Sequence, residues 1–394
     1  MAGMMLMGSL TCASCYNADN KFPDYEGGTT AYFAYQFPVR TLVLGNDIYD
    51  NALDNAHKCR IWSTMGGAYN GRDAVVDVVV DESLCDNLYF TDDGGNAAQP
   101  VLPMPSAYYQ LLSNVIPYNG DTRGYVEVQF TRAFFLDEKA IKNTYVIPLL
   151  MKSVKGIDHI LTGTPREGLT PSRTNTEDWD ILAKDYVLYC VRYMNPWQGK
   201  YIRRGVDNIT EDGVTSTVVR KDFKLVNTDV ERYKENPVNQ NDEVCAIKTK
   251  NMTQSIFPIS VNIGKDAAGD ARPSQACNLI LTFNGDKCVI TSDDEEVVST
   301  GTGEFIVKGT EKPEFKDYQW GSLNGSPVQR DILTLAYSVN FKKGRIIGKK
   351  LDKSGKEVDW VLENDVQVST KDTLVVQTRE SNKKEFFSSK YVKQ

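Results

Sequence analysis

From about residue 30 onward, apolar and polar positions alternate with a period of two, the pattern of half-buried strands. In GYVEVQFTRAFF (124–135), Tyr125, Glu127, Gln129 and Thr131 share one side, and Val126, Val128 and Phe130 the other. AVVDVVVDESL (74–84) is β-branched on both faces, with Asp77 and Asp81 interleaved. TAYFAYQFPVRTLVLG (30–45) also alternates but carries Pro38, which suits an edge strand that kinks or switches sheet. NTYVIPLLMKSV (143–154) and KDYVLYCVRYM (184–194) add two more strands, and DEKAIKN (137–143) has room for one helical turn. Five or six strands between turn clusters predict an immunoglobulin-like β-sandwich over residues 28–194. The polar stretch 163–180 belongs to this domain because the strand at 184–194 follows and closes it.

Residues 195–394 carry a second all-β pattern. Its expected strands are GKYIRRG (199–205), TSTVVRKDFKLV (215–226), EVCAIKTK (243–250), SIFPISVNIG (255–264) and NLILTFNGDKCVITS (278–292). GEFIVKG (303–309), RDILTLAYSVNFKKG (330–344), VDWVLEND (358–365) and DTLVVQTRES (372–381) follow. Short connections predict an antiparallel meander closing into a barrel. Gly199-x-Tyr201 resembles the Gly-x-Trp start of lipocalin-like barrels. The Asn284-Gly285 pair is the strongest hairpin signal in the chain. If it is the two-residue turn, Cys277 lies level with Ser292, too far from Cys288 for a disulfide.

The 394 residues are long enough for two cores, and none of their apolar runs approaches the ~20 residues of a membrane helix. A net charge of −7 with both signs interspersed argues against a nucleic-acid partner. Of eight cysteines, only Cys12 and Cys15 are closely spaced, and no second ligand pair follows them. They end MMLMGSLTCASC, an apolar run and then small residues, which reads as the end of a signal peptide. Residues 1–14 are therefore expected to be a signal-peptide remnant, with Leu10-Thr11-Cys12-Ala13-Ser14-Cys15 an imperfect lipobox and Cys15 the lipidated residue. Cleavage before Cys12 is the alternative. Residues 15–27 form the tether.

The strings FPDYEGGTTAYFAYQFPVRTLVLG, STMGGAYNGRDAVVDVVVDESLCDNL, MPSAYYQLLSN and DYVLYCVRYMNPWQGKYIRRGVD resemble surface lipoproteins of Bacteroides-type bacteria. That family joins an N-terminal immunoglobulin-like domain of unknown function to a C-terminal lipocalin-like β-domain, also of unknown function. The resemblance implies a place in a glycan-utilisation locus, an outer-membrane transporter complex as partner, and attachment to the outer membrane through the N-terminal lipid. It carries over no catalytic or ligand residue.

The residues themselves give little support for catalysis. The two histidines, His57 and His159, lie outside any zinc-binding spacing, and no serine sits in a Gly-x-Ser-x-Gly frame. Fifty-two acidic residues leave a carboxylate-pair glycosidase formally open, but no βα repeat accompanies them. The run Asp293-Asp294-Glu295-Glu296 reads as a solvated loop without the spacing of a calcium site. No cofactor is expected. The expected function is non-catalytic glycan binding, with protein adhesion as the alternative. Candidate stacking platforms are Trp179, Trp197 with Tyr201, and Trp320 with Tyr318, each in a polar, turn-like setting.

Overall fold

A computed structural model describes residues 23–220, 243–294, 296–318, 322–323, 325–352, 354–381 and 384–393. It is an all-β protein: an N-terminal immunoglobulin-like sandwich followed by a closed, eight-stranded antiparallel barrel of lipocalin type. Among the described residues, no helix is long and apolar enough to cross a membrane.

The sandwich packs a five-stranded sheet on a seven-stranded one. The first sheet centres on Lys58–Gly66, paired on one side with Thr30–Tyr32 and on the other with Arg123–Phe130. In the second sheet, Tyr145–Lys155 pairs with Tyr186–Met194, which runs parallel to Pro38–Val43. Pro38 therefore marks a change of sheet, as the sequence suggested. The expected helical turn is a 3-10 turn at Glu138–Ile141. Between the sheets lies a core that includes Phe33, Ile61, Val128, Ile147 and Val191. The outer face of the second sheet has its own core around Phe90, Val146, Trp179 and Tyr186. Burial on both faces explains why YVIPLLM reads as an unbroken apolar run instead of an alternating one.

The barrel runs from Gly199–Glu211 through consecutive neighbours to Val366–Thr378, which pairs back with Gly199–Glu211 and closes the ring. Inward positions carry buried Phe257, Leu279, Leu335 and Leu374 together with buried polar side chains. There the Arg203 Nε donates to the Asp372 Oδ2 at 2.8 Å, with Tyr337 hydrogen-bonded to both side chains.

Three expectations need correction. The hairpin turn is Gly285-Asp286, with Asn284 opposite Lys287 and Leu279 opposite Ser292. Gly285, at φ 63°, occupies the first central position, where a type II′ turn wants glycine. The six described cysteines, including Cys277 and Cys288, are nevertheless all free. VDWVLEND is not a barrel wall: Glu357–Val361 pairs only with Ile346–Leu351, in a separate ribbon. Residues beyond the last barrel strand also leave that domain. Glu385–Phe386 pairs with Pro38–Val39, and Ser389–Tyr391 pairs with Leu88–Phe90. The cause is apolar: Phe387 fills a hole in the outer sandwich core against Phe37 and Phe90.

Candidate functional site

Alternation in KCRIWSTMG sends Cys59, Ile61, Ser63 and Met65 inward and leaves Lys58, Arg60, Trp62 and Thr64 on the outer face of the first sheet. The neighbouring strand sends Arg123, Tyr125 and Glu127 to the same face. Register places Trp62 directly opposite Tyr125, with ring centroids 4.7 Å apart. Tyr32, opposite Thr64, joins them from the third strand. Trp62 is 46% exposed in the middle of this sheet. The Arg60 guanidinium lies 4.4 Å from the Tyr125 centroid, and that of Arg123 lies 5.6 Å from Trp62. Such cation–ring contacts keep the arginines beside the platform.

Past Trp62 the sheet face opens into a cleft of about 350 Å³ at the edge of the sandwich. Trp62, Tyr35 and Phe386 supply its aromatic surface, and Arg40, Tyr189 and Lys384 supply polar atoms. Tyr35 and Phe386 lie with centroids 5.3 Å apart and are 60% and 53% exposed. The chain crosses between sheets at this point. Gln36 anchors the crossing by donating to the carbonyls of Ala183 and Tyr186, while Phe37 packs edge-on against Phe387. Tyr35 is therefore held outward. On the floor, the Tyr189 hydroxyl donates to the Arg60 carbonyl at 3.2 Å, and burial raises its pKa, so the phenol stays neutral. Arg40 pairs with buried Asp54, and Arg192 pairs with Glu385 while donating to Thr41.

The residues singled out from sequence lie elsewhere. Trp179 is 7% exposed in the outer sandwich core, its Nε1–H donating to the Ser172 carbonyl at 2.8 Å. Trp197 is 8% exposed and stacked on Phe283 at 3.7 Å, closing one end of the barrel core. Tyr201 is buried beside it and donates to its carbonyl. As placed, these three rings pack against protein instead of offering an open face, which corrects the expected stacking role. Tyr318 is half-buried, with the Arg204 guanidinium 5.0 Å from its ring. Trp320 and Cys15 lie outside the described residues. Arg345 bridges Asp294 and Glu296 of the acidic run. His57 packs on Phe135 at 4.3 Å, and His159 forms part of a two-residue strand beside Thr30. Burial pushes the Cys59, Cys85, Cys190 and Cys288 thiols up to about 12, which makes poor nucleophiles of them.

Trp62 lies mid-strand, whereas the aromatics that the sequence offers as platforms lie in turn-like settings. Its signal was parity: it shares the polar phase of its strand with Arg60 and Thr64, against Cys59 and Ile61.

Two family models match the chain. Residues 196–380 match the domain of unknown function DUF5627, and residues 25–158 match a model described as "-like, N-terminal domain". A crystal structure from Bacteroides ovatus, described as structural genomics, unknown function, is similar at 37% identity with a TM-score of 0.72. The match covers 94% of this chain and 100% of that one. A multidomain protein including DUF1735, also from Bacteroides ovatus, is 11% identical over 84% of this chain and 92% of that one, with a TM-score of 0.35. No curated protein matches the chain.

Proposed function

The chain belongs to the family of that 37%-identical Bacteroides ovatus protein, a family of unknown function, and we propose that it is a non-catalytic glycan-binding module. The observation that carries this reading is Trp62: a half-exposed indole on the outer face of the first sheet, opposite Tyr125 and continuous with an aromatic cleft. A sugar ring presents C–H groups on its faces and hydroxyls around its rim. The C–H faces pack on Trp62, Tyr35 or Phe386, and the hydroxyls meet Arg60, Arg40 and the Tyr189 phenol. An exposed aromatic patch rimmed by polar groups marks an interaction surface, and the cleft's volume is within the range that holds a small ligand.

In this reading the protein is a lipoprotein anchored through Cys15 in the outer membrane of a Bacteroides-type cell, and it passes polysaccharide toward a transporter complex. Incorporation of labelled palmitate that is lost in Cys15→Ala supports the anchor, and a cytosolic full-length product argues against it. For binding, the test is affinity electrophoresis through gels containing neutral and acidic polysaccharides. Trp62→Ala is expected to lose about tenfold or more in affinity, consistent with the weight that single aromatic anchors carry in interfaces. Trp179→Phe, a change inside the core, is expected to leave binding as it was. If no polysaccharide retards the protein while other proteins are captured in a Trp62-dependent way, the surface is an adhesion site.

A further inference from the structure

The charges around Trp62 do not balance. Glu127 is shared by two cations, Lys58 at 2.7 Å and Arg60 at 3.5 Å. Arg40 is matched by Asp54, and Arg192 by Glu385. That leaves Arg123 and Lys384, neither of which has a carboxylate within ion-pairing distance among the described residues. Asp121, two residues from Arg123, is stabilised in part by that charge, but it forms no ion pair with it and its Oδ1 accepts from the backbone N–H groups of Thr122 and Arg123. The two cations without an ion-pair partner border one surface: Arg123 lies against the Trp62 ring, and Lys384 lines the cleft that Trp62 also lines, together with Arg40 and with Glu385, which Arg192 neutralises. This local positive excess sits on a chain whose net charge is −7, so composition does not account for it.

We infer that the glycan taken at this platform is anionic, with a carboxylate or sulfate group of the polymer pairing with Arg123 beside Trp62 and with Lys384 across the cleft. The inference rests on the glycan reading and specifies its ligand class. Ring stacking supplies contact that any sugar can use, and the unmatched cations add a term that only a charged sugar collects. Arginine is the apt residue at the platform, because a planar guanidinium can rest beside an indole and still offer a two-pronged donor edge to a carboxylate or sulfate.

The experiment is calorimetric titration of the full chain with polygalacturonate, dextran sulfate, a neutral mannan and a single-stranded oligonucleotide, at low and high salt. The proteins are wild type, Trp62→Ala, Arg123→Gln, Arg123→Lys and Lys384→Gln, each checked for an unchanged melting temperature. Arg123→Gln and Lys384→Gln are each expected to weaken binding of one anionic polymer about three- to tenfold. They should also flatten its salt dependence, while mannan binding stays as it was. Arg123→Lys should recover part of the loss. Preference for polygalacturonate identifies a carboxylate, and preference for dextran sulfate a sulfate. If Trp62→Ala abolishes mannan binding while neither cation variant changes binding of an acidic polymer, the anionic assignment fails and the platform reading stands. If no polysaccharide binds, or the oligonucleotide binds best, both fail.

Discussion

At the residue scale, the contrast between Trp62 and the buried tryptophans shows what alternation does and does not reveal. Parity within a strand says which side chains share a face, and here it placed Tyr125 and Glu127 together correctly. It does not say which face is covered by the rest of the chain. Trp179 looked exposed because its neighbours Asp178 and Asp180 are polar, yet Asp178 accepts from the Ser172 N–H and the indole turns inward. Local polarity was satisfied within the loop itself, so it carried no information about solvent. Asp137 illustrates a polar residue with a structural task. It accepts from the Tyr145 hydroxyl at 2.7 Å, the Tyr108 hydroxyl at 3.0 Å and the Lys139 N–H at 2.8 Å. Burial is the largest single influence and pushes its carboxyl up, but those hydrogen bonds together hold it below the ordinary 3.8. A carboxylate with a depressed folded pKa binds fewer protons when folded than when unfolded. Its stabilisation is therefore present above pH 3.8 and lost as pH falls through the lower folded value. Urea denaturation of wild type and Asp137→Asn across pH 2.5–7 checks this. The variant is expected to be the less stable protein at pH 7, with the difference shrinking in acid; a gap that stays constant with pH would rule the mechanism out.

At the scale of elements, strands were legible wherever one face is wet and the other dry, and Pro38 announced its own change of sheet. Boundaries and pairings were less so. The Asn-Gly signal located the hairpin, but the turn formed one residue later, at Gly285-Asp286, with Gly285 supplying the positive φ of the first central position. Both placements leave Leu279, Leu281 and Phe283 on one face with Cys288 and Ile290, so alternation alone does not say which dipeptide turns. The final segment is a stronger case. EFFSSKYV follows the last barrel strand and gives no sign of its partners, which lie some 300 residues earlier in Pro38–Val39 and Leu88–Phe90. Phe387 is the anchor, buried with ring centroids 5.4 Å from Phe37 and 4.9 Å from Phe90. Phe387→Ala is expected to cost about 3 kcal/mol, the usual scale for removing a buried aromatic ring. Chemical denaturation measures it. The same change loosens Phe386, one wall of the cleft, so glycan affinity should fall together with stability. An unchanged denaturation midpoint would mean that the tail adds nothing to the sandwich.

At the scale of the whole molecule, the question is whether sandwich and barrel act as one body. The stretch NPWQGK falls at the expected domain boundary, and it is densely hydrogen-bonded. Asn195 is fully buried, and its amide donates to the Asn251 and Gln254 carbonyls and the Ser255 hydroxyl, while its Oδ1 accepts from the backbone N–H groups of Trp197 and Gln198. Gly45 of the sandwich, at φ 83°, sits so close to Pro196 that an added Cβ would come within 2.6 Å of the proline Cβ. Across this joint reaches Arg379, just beyond the last barrel strand. Its guanidinium donates to the carbonyls of Leu44 at 2.8 Å and Asn46 at 2.7 Å in the sandwich, and to Asn195 at 2.6 Å and Gln198 at 3.1 Å in the connection. Five donors in a rigid plane can serve four acceptors at once, which a lysine ammonium with three rotatable donors cannot. Arg379→Ala strips those carbonyls of their partner and is expected to cost about 3 kcal/mol, since buried acceptors left unmatched each lose a charge-assisted bond and water recovers only part of it. Because the loss falls on the joint, scanning calorimetry of the wild type should give one cooperative transition and that of Arg379→Ala two, with Arg379→Lys in between. Small-angle scattering should show the variant with a larger radius of gyration. Two transitions already in the wild type would mean the domains fold and move independently, and the joint would then be a contact without mechanical consequence.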